Sequence, residues 1–225
     1  MKQRGATMTK VGMLLAACLI TGAAWAQPSA APPGDSAPGV AVWVKPLSAL
    51  TLTPVLASQG ETFVMVPVGM NLPLGTRTDL VLELTPIWTR QDCEARCTGR
   101  ALSLAVGPSF LVAPSSPGSG FFLQPKLVGV LAQQSRETEL SVPGDPGSWS
   151  ETSTQLSLGL DVGYQLRRGP LFLAFVLGAS VGRGWNVPAS SPSVFFSLVD
   201  WPERAREDKL TWDVNLHLLR VGASF

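Results

Sequence analysis

Few residues in this chain have the means to do chemistry, and their spacing decides what they could do. There is one histidine, His217. A histidine works as a general base only with a nucleophile and an orienting acid in hydrogen-bond reach. His217 is followed by Leu218-Leu219, and Ser157 or Ser180 would meet it only through strand register, so no catalytic group is assigned. Glu83, Lys126, Asp161 and Arg220 fall on polar faces of apolar segments, and Asp213, Asn215 and His217 share a face of the last segment. Together they would form a polar cluster inside a sheet. Such a cluster is either a proton or ion path or a plug of mutually neutralising charges, and the plug is adopted because buried charges must pair. Cys93 and Cys97 lie four apart in Gln91-Asp92-Cys93-Glu94-Ala95-Arg96-Cys97. A zinc site needs three or four ligands, and His217 is remote, so a local disulfide is the leading reading over metal. No cofactor is expected.

The elements that must hold these residues have a period of two. In Gln155–Leu166 the residues Leu156, Leu158, Leu160, Val162, Tyr164 and Leu166 share one face; Gln155, Ser157, Gly159, Asp161, Gly163 and Gln165 share the other. That is a strand and fits no helical face. Ala101–Val112, Leu171–Arg183 and Leu80–Trp88 repeat the pattern, with Leu111, Phe172 and Val176 as exceptions. The apolar face carries Leu, Val and Phe; the other carries small residues and a rare charge. A soluble sandwich buries its apolar face and exposes its charged one. The pattern here suits a closed antiparallel transmembrane β-barrel, with bulky residues toward lipid and a narrow polar lumen. Lipid offers no hydrogen-bond partners, so the sheet must close. The aromatics Trp43, Trp88, Tyr164, Trp185 and Trp212 fall near predicted strand ends, where interfacial girdles form.

Eight strands are predicted: 47–57, 62–74, 79–90, 99–113, 119–134, 152–167, 170–185 and 209–225. The joints Gly75–Thr78, Pro114–Gly118 and Arg168-Gly169 are short. The joints 58–61, 91–98, 135–151 and 186–208 lengthen along the chain and hold most of the charge, as periplasmic turns and outer loops do. Loops 135–151 and 186–208 offer a surface to a ligand. In the second, Asp200-Trp201-Pro202-Glu203 reads as a capping box that starts a short helix over Pro202–Asp208, which would serve as a binding element or cap the barrel mouth; capping is the reading adopted. Ala101–Pro125 is uncharged and long enough for a helical span, but Pro114-Ser115-Ser116-Pro117-Gly118 breaks it.

Composition agrees. Charged residues make up only 15% of the chain, against about 25% in ordinary soluble domains, and the mean hydropathy is positive. The N-terminus has a basic region (Lys2, Arg4, Lys10), an apolar run from Val11 to Gly22, and Ala24-Trp25-Ala26 before Gln27, so residues 1–26 read as an export signal. Leu15-Ala16-Ala17-Cys18 offers the alternative of lipidation at Cys18. Residues 27–39, rich in Pro, Ala, Ser and Gly, form a flexible lead-in, and 40–225 the barrel. From Gln27 on, 14 basic residues face 16 acidic ones, a formal charge of −2. With no basic stripe, nucleic acid is not an expected partner.

The last strand ends on an aromatic residue, with Leu219, Val221, Ala223 and Phe225 alternating back from it. Trp212, Val214, Leu216 and Leu218 alternate in the opposite phase, which implies a β-bulge near Leu218-Leu219. Val221, Ala223 and Phe225 resemble the C-terminal signal strand of bacterial outer-membrane barrels, departing from it at Ala223, where a second aromatic is common. The mature chain as a whole resembles the small eight-stranded barrels of the OmpA and OmpX kind. That resemblance implies an outer-membrane location after export, outer-membrane lipid and the barrel assembly machinery as partners, and a structural or surface-interaction role without enzymatic turnover. The other roles considered are a narrow channel, a membrane-embedded lipid-modifying enzyme and a soluble lipocalin-like binder.

Overall fold

The computed structural model describes residues 39–47, 61–92, 96–137, 148–194, 198, 205–215 and 219–225. The expected export signal, nearly all of the expected lead-in, Cys93, His217 and the Asp200–Glu203 box lie outside these residues. The described chain is all-β. Its strands are β1 (Ala41–Val44), β2 (Glu61–Met65), β3 (Val68–Pro73), β4 (Thr78–Asp92), β5 (Arg96–Ser116), β6 (Ser119–Glu137), β7 (Trp149–Arg168), β8 (Leu171–Pro188), β9 (Arg206–Asn215) and β10 (Arg220–Ser224). All pairings are antiparallel.

These strands make a ring of eight. β2 and β3 both pair with β4 and are one strand interrupted at Val66-Pro67, where proline has no N–H to give to a ladder. β9 and β10 both pair with β8 and are likewise two parts of one strand. β1 closes the ring between β3 and β10, with Ala41 opposite Ser224 and Val44 opposite Val221. The turns at one end are short: Leu74–Arg77, Pro117-Gly118 and Gly169-Pro170. Gly169 has φ 57°, a left-handed conformation that an L side chain resists.

Three expectations need correction. The first strand is Ala41–Val44, not 47–57; Leu47 follows it outside any strand, and 48–57 fall outside the described residues. The strands also run further than expected at the long-loop end: β6 reaches Glu137, β7 starts at Trp149, β8 reaches Pro188 and β9 starts at Arg206. Residues 206–208 are therefore strand and not the end of a helix. Beyond the apolar belt the outward face of β6 and β7 turns polar, so the alternation that marks a strand fades although the backbone ladder continues.

The faces divide as the alternation predicts. Leu158 is 66% exposed, Phe175 61% and Leu104 54%, whereas Asp161, Ser157 and Gln124 are each 1% exposed. The exceptions to alternation, Phe172 and Val176, point inward and pack with Trp43, Val81, Phe122 and Ala174 in an apolar cluster at the short-turn end. A second cluster lies inside the long-loop end: Phe63, Met65, Ile87, Ala101, Val130, Ala132, Val187, Val194 and Leu198.

The seam between β1 and β10 depends on a glycine. A Cβ on Gly222 would lie 1.9 Å from the Val42 carbonyl oxygen and 2.7 Å from Trp43 Cα. Backbone on a paired strand cannot swing aside as a side chain does. Gly222→Ala is expected to destabilise the ring by about 1–3 kcal/mol, the usual cost of overpacking, read as a lower urea midpoint for unfolding. An unchanged midpoint would mean the seam is looser than this contact implies.

Candidate functional site

The interior is layered. Near the short turns, Arg167 pairs with Asp79 and donates to the Gly39 carbonyl at 3.0 Å. Asn71 donates to Asp79 (3.1 Å) and accepts from Trp43 Nε1 (2.7 Å). Arg167 lies 5.5 Å from the Phe172 ring centre, so its cation is met both by a carboxylate and by an aromatic face. This group combines five separate strands.

The middle layer holds most of the expected polar cluster. Arg220 is 1% exposed; it donates to Asp161 Oδ2 and to Gln124 Oε1, both at 3.0 Å, and lies 3.8 Å from Glu83. Lys126 pairs with Asp161 at 2.7 Å, and Lys45 with Glu83 at 2.5 Å. The guanidinium of Arg220 sits between two rings, 4.5 Å from the centre of Trp43 and 5.9 Å from that of Phe122. Glu83, Lys126, Asp161 and Arg220 thus meet as expected, while Lys45, Gln124, Trp43 and Phe122 complete a site that sequence reading left unfinished. Gln124 and Phe122 share the alternating face of Lys126, a signal that was legible. Lys45 follows a strand of only four residues, and nothing local marks it as buried.

Three cations here face two carboxylates. Burial makes an unpaired charge costly, and both carboxylates are shared: Asp161 between Lys126 and Arg220, Glu83 between Lys45 and Arg220. The aromatic faces of Trp43 and Phe122 supply negative potential for the remaining cation. Trp43, read from sequence as part of an interfacial girdle, is 1% exposed and belongs to this lumen layer instead. The reason is the correction to the first strand: on Ala41–Val44, Trp43 points inward. Trp88, Trp185 and Trp212 do face outward, at 47%, 37% and 55% exposure.

Above the ion layer, part of the last long loop folds into the ring. Ser191, Ser193 and Val194 are fully buried and Leu198 is 1% exposed. The Val194 amide donates to Gln155 Oε1 at 2.9 Å, the Trp212 amide donates to the Pro192 carbonyl at 3.1 Å, and Ser193 donates to Asp213. Gln155 also donates to Asp213 at 2.9 Å. Val194 and Leu198 join the upper apolar cluster. Residues 191–194 and Leu198 make a strap inside the ring. It sets the 186–208 joint apart from a free surface loop.

The other predicted site residues are placed as follows. Cys97 is disulfide-bonded and 1% exposed; Cys93, its expected partner, lies outside the described residues, as does His217. Ser157 accepts from Gln155 at 2.8 Å. Val221 and Ala223 pair with β1 on one side and β8 on the other, and Phe225, 81% exposed, donates its amide to Val40 at 2.9 Å. Arg220 and Trp212 obey opposite phases of alternation, as the predicted bulge requires; residues 216–218, where the phase changes, are outside the described set. Among the described residues no group of three or more His, Cys, Asp or Glu could hold a metal ion, and no helix is long and apolar enough to cross a membrane. The comparisons with known proteins find no match: no family model, curated protein or solved structure resembles the chain closely enough to count.

Proposed function

We propose that the chain is a bacterial outer-membrane β-barrel of the small OmpA and OmpX kind, exported and then inserted, with a structural or surface role and a lumen filled by its own side chains. The observation that carries this reading is the inversion of faces: leucines look outward along whole strands while glutamines, serines and most of the mid-strand charges look inward. On β7 the outward apolar run goes from Leu156 to Leu166. Ten steps at ~3.3 Å, tilted by about 40°, rise roughly 25 Å, the height of an outer-membrane apolar belt. A water-soluble binder of apolar ligands would need the opposite assignment.

The closed-lumen part of the reading draws on the filled layers. An eight-stranded barrel is just wide enough for its side chains, and Trp43, Phe122, Gln124 and Arg220 fill one level. A narrow channel would need that level open. An enzyme would need a nucleophile beside a base, and His217, the base candidate, lies outside the described residues.

The test is gel mobility of the protein from isolated outer membranes, with and without boiling. A closed barrel resists detergent until heated, so two mobilities are expected. A single mobility, with the protein in the soluble periplasmic fraction, would overturn the reading. In planar bilayers the purified protein is expected to be electrically silent, and steady single-channel steps would replace the filled-lumen role with a channel.

A further inference from the structure

The outward apolar belt ends at the long-loop side on a set of arginines. On β4 the outward run Leu80–Trp88 is followed by Arg90. On β5, Val112–Leu102, read toward the long loops, is followed by Arg100. On β8, Leu171–Val181 is followed by Arg183. All three arginines are exposed, and none makes a side-chain ion pair or hydrogen bond among the described residues. Arg90 stands between Thr62 and Thr98, and Arg100 has Gln133 on one side; the other cross-strand neighbours are apolar or aromatic. Arg100 stands directly opposite Trp88, and Arg183 stands between Leu156 and Leu210 with Val181 and Trp185 two residues away along its own strand. Leu210 is 74% exposed. An unpaired cation in an exposed apolar surround is costly at the centre of a bilayer and nearly free at its edge. These positions therefore mark where headgroups begin.

Just beyond the arginines, the outward wall of β5, β6 and β7 turns to hydroxyls and amides: Thr98, Gln133, Ser135, Ser150 and Thr152. Thr98 and Ser135 are bonded at 2.9 Å, and Gln133 donates to Ser150 at 3.0 Å. This polar wall faces away from the lumen, so the interior network makes no use of it.

Resting on the membrane reading above, we propose that Arg90, Arg100 and Arg183 form a collar that binds the phosphates of a phosphorylated glycolipid in the leaflet on the long-loop side, with the hydroxyl and amide wall against its sugar. Guanidinium groups bind phosphate through paired, charge-assisted hydrogen bonds, and the adjoining Trp88 and Trp185 have the amphipathic rings that settle at headgroup level. The acyl chains of such a lipid would lie along the leucine belt below.

Native mass spectrometry of the folded protein in detergent tests this, with diphosphorylated lipid A, the same lipid without its phosphates, and phosphatidylglycerol as probes. The diphosphorylated lipid is expected to be retained at least fivefold more than either of the others. Arg90→Gln, Arg100→Gln and Arg183→Gln are each expected to lower that retention about twofold, and the triple variant to bring it to the dephosphorylated level. Arg168→Gln, at the opposite edge of the belt, is expected to leave it unchanged. Equal retention of the phosphate-free lipid, or full retention by the single and triple variants, would overturn the collar. So would an equal loss on Arg168→Gln. Equal retention of phosphatidylglycerol would overturn the glycolipid as its occupant. Each variant is checked for heat-dependent mobility. A wild-type protein without that shift fails as a membrane barrel altogether, whereas a shift without phosphate preference overturns the collar alone.

Discussion

Asp161→Asn is expected to cost the folded protein about 3–5 kcal/mol, the usual penalty for leaving a buried charge without its partner. Asp161 is shared by Lys126 and Arg220, so the amide would leave three buried cations with Glu83 as their one carboxylate in the layer. Arg220→Met should behave very differently despite removing a larger side chain. It takes away the surplus cation and leaves two matched pairs, Lys45 with Glu83 and Lys126 with Asp161. The thioether can still lie against Trp43 and Phe122. A cost of about 1 kcal/mol is expected, near that of a volume-conserving core change. Urea unfolding of the two variants in the same lipid or detergent decides the matter. Equal losses, or a larger loss for Arg220→Met, would mean that the arginine is the keystone and not the excess charge.

Leu160→Arg is the second large effect. Leu160 is 48% exposed and lies near the middle of the outward run from Leu156 to Leu166. In water, an exposed leucine away from special features is replaced at a cost within about 0.5 kcal/mol. At the centre of a lipid-facing belt, arginine costs about 2–4 kcal/mol, falling to about 0–1 at the interface. Thr152→Arg, beyond the belt on the same strand, is the internal control and should be nearly silent. A depth-dependent loss, measured by folding into lipid vesicles at increasing urea, is expected. Equal, small effects at both positions would point to an outward face that meets water.

How much of this was legible depended on whether a residue's face could be read from its neighbours. Gln155–Leu166 shows its alternation in every residue, and its faces fall where that alternation puts them. Asp161 and Lys126 were legible as inward-facing for the same reason. Trp43 was not, because Ala41–Val44 is too short to set a period, and the leucine-rich 47–57 competed for its place. Arg167 and Asp79 were missed because they stand next to turns, where charge is ordinarily solvated. The strap made by 191–194 and Leu198 has no periodic signal at all: Ser191 and Ser193 are buried where Asp213 and the strands around them provide partners, and that is a tertiary fact. Phe63, Ile87 and Val187 line the upper interior, where an inward apolar residue looked like a lapse in a polar face.

The seam that closes the ring joins Ala41 to Ser224 and Val44 to Val221, and this has a consequence for the order of events during biogenesis. The hairpins β3–β4, β5–β6 and β7–β8 join neighbouring segments through brief connections, and such pairings form early because little chain entropy is lost in closing them. The seam joins segments from opposite ends of the described chain, so no translation product that stops short of β10 can contain it. Until β10 arrives, β1 and the Leu171–Ala174 stretch of β8 each present an unpaired edge to the surroundings, a template for pairing with other chains. The open edges therefore last for the whole interval between synthesis of the first strand and synthesis of the last, and shortening that interval, not strengthening any single hairpin, is what would most reduce misassembly.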